Sequence, residues 1–228
     1  MKVVILAAGM GTRLARTLPK PLISLKDEET ILDYQIRNIT RYVSIQDIYV
    51  VVGYKKELLM EKYPELLYVY NNGYAQTNTG RSLLLALRKI EEDTIWLNGD
   101  IFFEDRVLEK LMGSRTSAVL VQKKECGEEE VKYTVDRKGF VREISKNVRN
   151  SPGESVGINL IKKKDIPGFV RHLEKTGPRD YFEKAMERMI RLDKVRVRPV
   201  DIGDLFCVEI DFPEDLERVR DRLRSRVY

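Results

Sequence analysis

The tightest constraint on the fold is an alternation of short apolar runs with helically spaced segments, beginning at the first residues. Residues 2–8 (KVVILAA) form a continuous, largely β-branched run, the pattern of a strand covered on both faces. Residues 31–42 then carry Ile31, Leu32, Ile36 and Ile39 at helical spacing. A strand over 48–52, a helix over 56–62, a strand over 66–70, a helix over 80–90 and a strand over 94–97 follow. This βαβα order predicts an α/β chain: a Rossmann-like mixed, mostly parallel sheet with flanking helices and right-handed crossovers. After Leu111 the rhythm changes to short runs at 118–122, 131–135 and 140–144, with a turn over 136–139, which predicts hairpins. A strand over 155–161 and helices over 167–174 and 181–190 come next. Strands over 195–200 and 205–210 are expected to close the sheet. Pro213 opens the last helix, with Asp211 as its expected cap. No repeat or linker interrupts the pattern, so residues 1–228 are expected to form one domain.

Composition narrows the chemistry. Two cysteines, Cys126 and Cys207, and one histidine, His172, exclude a disulfide scaffold, a Cys/His zinc cluster and any pair of histidine ligands. His172 is expected on an exposed polar helix face, while Cys207 and Trp96 are expected in the core. The longest apolar run is far shorter than the roughly 20 residues of a membrane span, and no signal-peptide layout precedes it. A cytoplasmic protein is expected. The net charge of +5 is spread along the chain. The terminal stripe Arg218, Arg220, Arg222, Arg224 and Arg226 suits a solvated helix face better than a nucleic-acid surface. Charged residues make up 34% of the chain, against about 25% in ordinary domains, which fits a heat-adapted surface of ion-pair networks.

In an open parallel sheet, ligands bind beyond the carboxyl ends of the strands. The first such end reads Leu6-Ala7-Ala8-Gly9-Met10-Gly11-Thr12-Arg13-Leu14. Gly9 and Gly11 let backbone amides approach an anion, and Arg13 adds a bidentate donor. A plain strand–helix turn is the duller reading. The dinucleotide fingerprint fails, because Leu14 stands where the third glycine belongs, and no P-loop Gly-Lys-Ser/Thr occurs. Next comes Pro19-Lys20-Pro21, two prolines that stiffen the chain around one lysine.

Leu-Ala-Ala-Gly-Met-Gly-Thr-Arg-Leu followed by Pro-Lys-Pro-Leu resembles the nucleotidyltransferases that join a nucleoside triphosphate to a sugar phosphate or similar phosphomonoester. Asn78-Thr79-Gly80-Arg81, Leu97-Asn98-Gly99-Asp100, Ser155-Val156-Gly157-Ile158 and Glu209-Ile210-Asp211-Phe212-Pro213 follow in that family's order. The resemblance implies a nucleotide-diphospho-sugar transferase fold. It also implies direct attack of an acceptor phosphate oxygen on the α-phosphorus, with pyrophosphate leaving and no covalent enzyme intermediate. Such a step needs positioning and charge neutralisation. Mg²⁺, which prefers carboxylates, waters and phosphates, is the implied cofactor.

By the same resemblance Arg13 holds the β- and γ-phosphates, and Lys20 bridges the α-phosphate and the acceptor phosphate. Asp100 is the first metal ligand. Counting back four residues from Pro213 makes Glu209 the second, with Asp211 as a competing candidate. Ala8, Gly9, Gly11, Thr12, Arg13, Asn78, Thr79 and Gly80 are expected around the nucleotide. Lys20, Glu154, Gly157 and Asp180 are expected around the acceptor. Asp180 equally suits an N-cap for the helix over 181–190.

Among members, the closing Glu-Ile-Asp and the segment 71–78 resemble the cytidylyltransferases acting on inositol 1-phosphate or phosphocholine. The length leaves no room for the added helical domain of the acetyltransferase-fused members. CTP with inositol 1-phosphate leads, because a charge-rich chain fits an inositol-phosphate solute pathway in a hot setting. Phosphocholine would want an aromatic cage, to which Tyr74, Tyr133, Phe140, Tyr181 and Phe182 could contribute. Glucose 1-phosphate with UTP or dTTP comes third. A nucleotide sensor without turnover is the alternative from another class, and a metal-dependent glycosyltransferase is the alternative from related folds. Small-molecule substrates are the expected partners, with neither nucleic acid nor membrane, and a homodimer is the assembly considered.

Overall fold

The computed structural model describes residues 1–11 and 17–225. In chain order the first half holds β1 (Lys2–Ala7), β2 (Ser24–Lys26), β3 (Glu29–Thr30), α1 (Ile31–Ile39), β4 (Ile48–Val52), α2 (Lys56–Lys62), β5 (Leu67–Tyr70), α3 (Thr79–Leu87), β6 (Thr94–Asn98) and β7 (Ile101–Phe103). The second half holds α4 (Glu109–Met112), β8 (Ser117–Gln122), β9 (Lys132–Val135), β10 (Val141–Ser145), β11 (Glu154–Ile161), α5 (Ile166–Glu174), α6 (Phe182–Leu192), β12 (Val197–Asp201), β13 (Cys207–Glu209) and α7 (Pro213–Ser225).

Strand β1 lies inside a mixed, mostly parallel sheet, with β4 on one side and β6 on the other, both parallel to it; β5 continues the parallel run beyond β4. Past β6 the sheet turns antiparallel through β11, which also pairs with β8, and β12 runs parallel to β8. The hairpin of β9 and β10 joins the leading end of β11. The continuous apolar run at the N-terminus is explained by this position. Val3, Ile5 and Ala7 enter one core with Leu32, Val50 and Leu97. Val4, Leu6 and Ala8 enter a second core with Leu83, Trp96, Phe169 and Phe182 on the opposite face. A strand with helices on both faces has no use for polar alternation.

Helix α1 starts where the sequence predicts because Thr30 and Asp33 form a capping box. The Asp33 amide donates to Thr30 Oγ1 at 3.2 Å, and the Thr30 amide donates to Asp33 Oδ2 at 2.7 Å. Each bond satisfies a donor that the first helical turn would leave open.

Four expectations are corrected. The last strand does not close the main sheet: β13 pairs antiparallel with β7 in a separate two-stranded ribbon, Glu209 opposite Ile101. Asp211 does not take the amides at the start of α7. Asp215 does, accepting from the backbone N–H groups of Asp211 and Phe212 at 3.1 and 3.0 Å, so the Asp211 carboxylate turns elsewhere. His172 is only 6% exposed on the inner side of α5, with Nε2 3.1 Å from Asp193 Oδ2. Asp180 is not an N-cap, since α6 begins after Tyr181 with no side-chain cap. Trp96 and Cys207 are buried, as expected. Of the arginine stripe, Arg218 and Arg224 face solvent in pairs with Asp215 and Asp221, and Arg222 reaches back to Glu104; Arg226 lies outside the described residues. Among the described residues no helix is long and apolar enough to cross a membrane.

Candidate active site

The carboxyl ends of β1 and β6 meet side by side, because Leu6 pairs with Asn98 and the Gly99 amide donates to the Leu6 carbonyl at 2.9 Å. Asp100 therefore leaves the sheet beside the glycine loop, as Ala7, Ala8 and Gly9 do. A tight 3₁₀ turn over Lys20–Leu22, held by Pro21, returns the chain to the same place. Gly11, at φ +58°, lies under the lysine: a Cβ there would stand 2.7 Å from Lys20 Cγ. A side chain at this position would have to push the lysine aside.

Lys20 Nζ donates to Asp100 Oδ2 at 3.0 Å and to Asp211 Oδ1, while its side chain is only 12% exposed. Burial works against the Lys20 charge, but the Asp100 and Asp211 carboxylates outweigh it, and the ammonium pKa stands above the usual lysine value. Glu209 comes from β13 and Asp211 follows it. Two ties hold both near Asp100: the Glu209–Ile101 pairing, and the Ile210 amide donating to the Asp100 carbonyl at 2.9 Å.

One ligand oxygen from each of Asp100, Glu209 and Asp211 lies within 4.8 Å of the others. Asp100 Oδ1 is buried with no hydrogen-bond partner among the described residues. Burial pushes the Asp100 carboxyl up, against the pull of Lys20. Glu209 is exposed, so its carboxyl is raised chiefly where its inner side is buried and by the Asp100 and Asp211 charges. Three crowded carboxylates and one buried oxygen without a described partner suit a hard divalent cation, whose charge would relieve the repulsion.

The nucleotide-side residues fall into two groups. Ala8 and Gly9 follow β1, with Gly9 exposed and the Ala8 carbonyl accepting from the Tyr54 amide at 3.2 Å. Thr12 and Arg13 lie outside the described residues. Asn78 caps α3 through the Thr79 amide at 2.8 Å, and its own amide donates to the Pro178 carbonyl at 2.9 Å. Gly80 is buried, and a Cβ on it would stand 2.8 Å from the Asp180 carbonyl oxygen. Its missing side chain admits the backbone of the segment 180–182.

On the acceptor side, Gly157 sits in a bulge of β11 at φ +74°, and a Cβ there would stand 3.3 Å from Asn98 Nδ2 and 2.6 Å from Ile101 Cδ1. It lies against the strand that delivers Asp100. Glu154 is paired with Lys124 at 2.8 Å. The Asp180 carboxylate is taken by Lys184 and by the Gly177 amide, so both acids expected around the acceptor already have partners. The five rings offered for a cage do not line one site. Tyr133 and Phe182 are buried, Phe140 lies under Arg196 and Arg198, and Tyr74 packs on Tyr54. Tyr181 alone among them is widely exposed, at 49%, with Lys146 Nζ 5.8 Å from its ring centroid.

Sequence reasoning missed Glu183. It is 8% exposed on α6, and its Oε2 is buried without a partner among the described residues. Burial pushes its carboxyl up to about 7, with Lys146 pulling the other way, and its charge is felt at Glu209. The signal was present: an acidic residue beside Phe182, within the buried stripe of Phe182, Ala185, Met186 and Met189.

Residues 3–185 match the family described as the MobA-like NTP transferase domain. The chain belongs to this family. Among curated relatives of this NTP transferase domain, a bifunctional protein GlmU of Methanococcus maripaludis is 39% identical over 49% of this chain. The chain spans only 28% of that relative's length. A choline-phosphate cytidylyltransferase of Streptococcus pneumoniae is 33% identical over 57% of each chain. Among solved structures, the inositol-1-phosphate CTP transferase from T. maritima superposes with a TM-score of 0.79, covering 100% of this chain and 97% of that one at 19% identity. At that identity the likeness is one of fold, and it is the nucleotide-diphospho-sugar transferase fold that the motifs implied. In this NTP transferase domain the glycine loop, Lys20 and the three carboxylates converge on one end of the sheet.

Proposed function

We propose that the chain transfers the cytidylyl group of CTP to a small phosphomonoester, with inositol 1-phosphate as the leading acceptor, releasing pyrophosphate and giving CDP-inositol. The observation that carries the reading is the Lys20 ammonium set between Asp100 and Asp211 beside the glycine loop, with Glu209 completing the carboxylate cluster.

The acceptor phosphate supplies its own nucleophile, an anionic oxygen that needs no general base. A bond forms between that oxygen and the α-phosphorus, and the bond from the α-phosphorus to the bridging oxygen of pyrophosphate breaks. Lys20 neutralises charge between the two phosphates, and Arg13 is the proposed clamp on the leaving pyrophosphate. Asp100, Glu209 and Asp211 would hold Mg²⁺, which when bound neutralises phosphate charge during such transfers. The backbone of Ala8 and Gly9 is the proposed floor for the nucleotide.

A second acceptor reading, phosphocholine, is favoured by Glu183. Its Oε2, buried without a partner among the described residues on the helix that follows exposed Tyr181, suits a cationic head group, whereas Glu154 and Asp180, the acids expected around the acceptor, are already paired. The test is pyrophosphate release with Mg²⁺, crossing CTP, UTP, dTTP, ATP and GTP against inositol 1-phosphate, phosphocholine and glucose 1-phosphate. Turnover confined to CTP with inositol 1-phosphate supports the leading reading, and CTP with phosphocholine supports the second. Nucleotide binding with no turnover anywhere on the grid would instead support a sensor.

A further inference from the structure

Lys20 holds two of the three carboxylates expected to bind the divalent cation, at hydrogen-bond distance from both. Pro19 and Pro21 restrict the backbone on either side of Lys20, and the base of its side chain runs over Gly11, so the backbone sets where the stem starts while its end keeps rotamers of its own. An ammonium and a divalent cation repel each other, and the Asp100 and Asp211 carboxylates that hold Lys20 also belong to the cluster that would bind the cation. We propose that Lys20 is the resident counter-ion of the carboxylate cluster in the nucleotide-free enzyme, so that a divalent cation enters fully only when nucleotide phosphates draw the ammonium away. The proposal rests on the reading that Asp100, Glu209 and Asp211 form the metal site.

The chemistry of lysine suits this exchange. A flexible four-carbon stem carries a compact charge that can pivot from carboxylate to phosphate partners. Until it does, Lys20 offsets the mutual repulsion of the acidic groups and keeps the cluster assembled. Because linkage is reciprocal, nucleotide then raises metal affinity, and metal raises nucleotide affinity by the same factor. Asp100 Oδ1, buried and without a partner among the described residues, is the oxygen that Lys20 leaves for the incoming ion.

The test is titration of Mn²⁺ into the nucleotide-free full chain, following the free ion by electron paramagnetic resonance. Wild type should bind weakly. Lys20→Met should bind about tenfold more tightly or better, in the range of ordinary site-to-site coupling. Lys20→Arg, which keeps a cation in place, should stay weak. Asp100→Asn added to Lys20→Met should abolish the gain. Thermal melts establish that each variant is folded, and Lys20→Gln serves as a second neutral variant. Lys146→Gln controls for overall charge, since Lys146 lies near Glu209 without contacting Asp100 or Asp211 in any described bond; it should change Mn²⁺ affinity little. Equal affinity in wild type, Lys20→Met and Lys20→Gln would overturn the counter-ion role while leaving the metal site intact. A gain in Lys146→Gln equal to that of Lys20→Met would overturn it too, because the effect would then be a general one of charge. Absence of Mn²⁺ binding in every variant would overturn the metal assignment together with this proposal.

Discussion

The carbonyl oxygen of Asp180 lies 2.8 Å from the point where a Cβ on Gly80 would stand. The two residues are a hundred positions apart, yet the first turn of α3 and the segment leading into α6 are fitted backbone to backbone. Asn78 adds a further tie through its amide to Pro178. Gly80→Ala is expected to destabilise the fold by about 1–3 kcal/mol, the usual cost of forcing an extra methyl into a packed contact. The obstructing atom is backbone and cannot swing away as a side chain would. Chemical denaturation with a fixed m-value checks this; an unchanged midpoint would show that the two segments separate freely.

Asp100→Asn is expected to keep the shape of the side chain while removing its charge. Turnover should fall by about 10²–10³, the scale on which one preorganised electrostatic partner contributes, while CTP affinity changes far less. Steady-state pyrophosphate release and equilibrium nucleotide binding measure the two separately. Near-normal turnover would remove Asp100 from the cation's ligands.

Trp96 is the chain's single tryptophan and is fully buried, with the rings of Phe169 and Phe182 at 5.4 and 5.5 Å. It therefore reports on the packing of α5 and α6 against the sheet. Its emission should be blue-shifted in the native protein and move to the red together with loss of far-ultraviolet circular dichroism on denaturation. Trp96→Ala is expected to cost about 3–5 kcal/mol through the cavity it leaves. A red emission maximum in the native state would contradict this packing.

Much of the first half was legible in the sequence because local pattern and tertiary position agree there. The strand Ile48–Val52 and the helix Lys56–Lys62 have the bounds that spacing alone predicted. The run that became β1 announced its two covered faces, and the motifs around Lys20, Asp100 and Glu209 lie at strand and turn ends that the fold brings together. What was not legible depended on distant partners. Ile101–Phe103 is too short to declare itself a strand without Cys207–Glu209 opposite it. Asp211 was expected as a cap because proximity to Pro213 is a local cue, whereas the turn toward Lys20 depends on a residue 191 positions away. His172 follows a helical polar pattern, and only the packing of α5 shows that its face is turned inward.

Glu183 supplies the pH dependence that separates a structural acid from an ordinary surface one. Its carboxyl is pushed from the usual 4.5 up to about 7 by burial, so the folded chain holds a proton that the unfolded chain releases at lower pH. Between about pH 4.5 and 7 the native state binds more protons, and its stability must fall as pH rises through that window. The cost, fully present above pH 7 and absent below about pH 4.5, is about 3 kcal/mol for a shift of this size. Glu183→Gln removes the titration while keeping the shape of the side chain. The variant should match wild type near pH 4.5 and become progressively more stable than it toward pH 8. Thermal melts of both proteins across that range measure the difference; curves that stay parallel would show Glu183 to be ionised at no cost, with a partner or solvent at its Oε2. If the residue also meets a cationic acceptor, saturating phosphocholine should narrow the gap at pH 8, because an ammonium beside the carboxylate stabilises its charged form. Inositol 1-phosphate, which brings no positive charge, should leave that gap as it was.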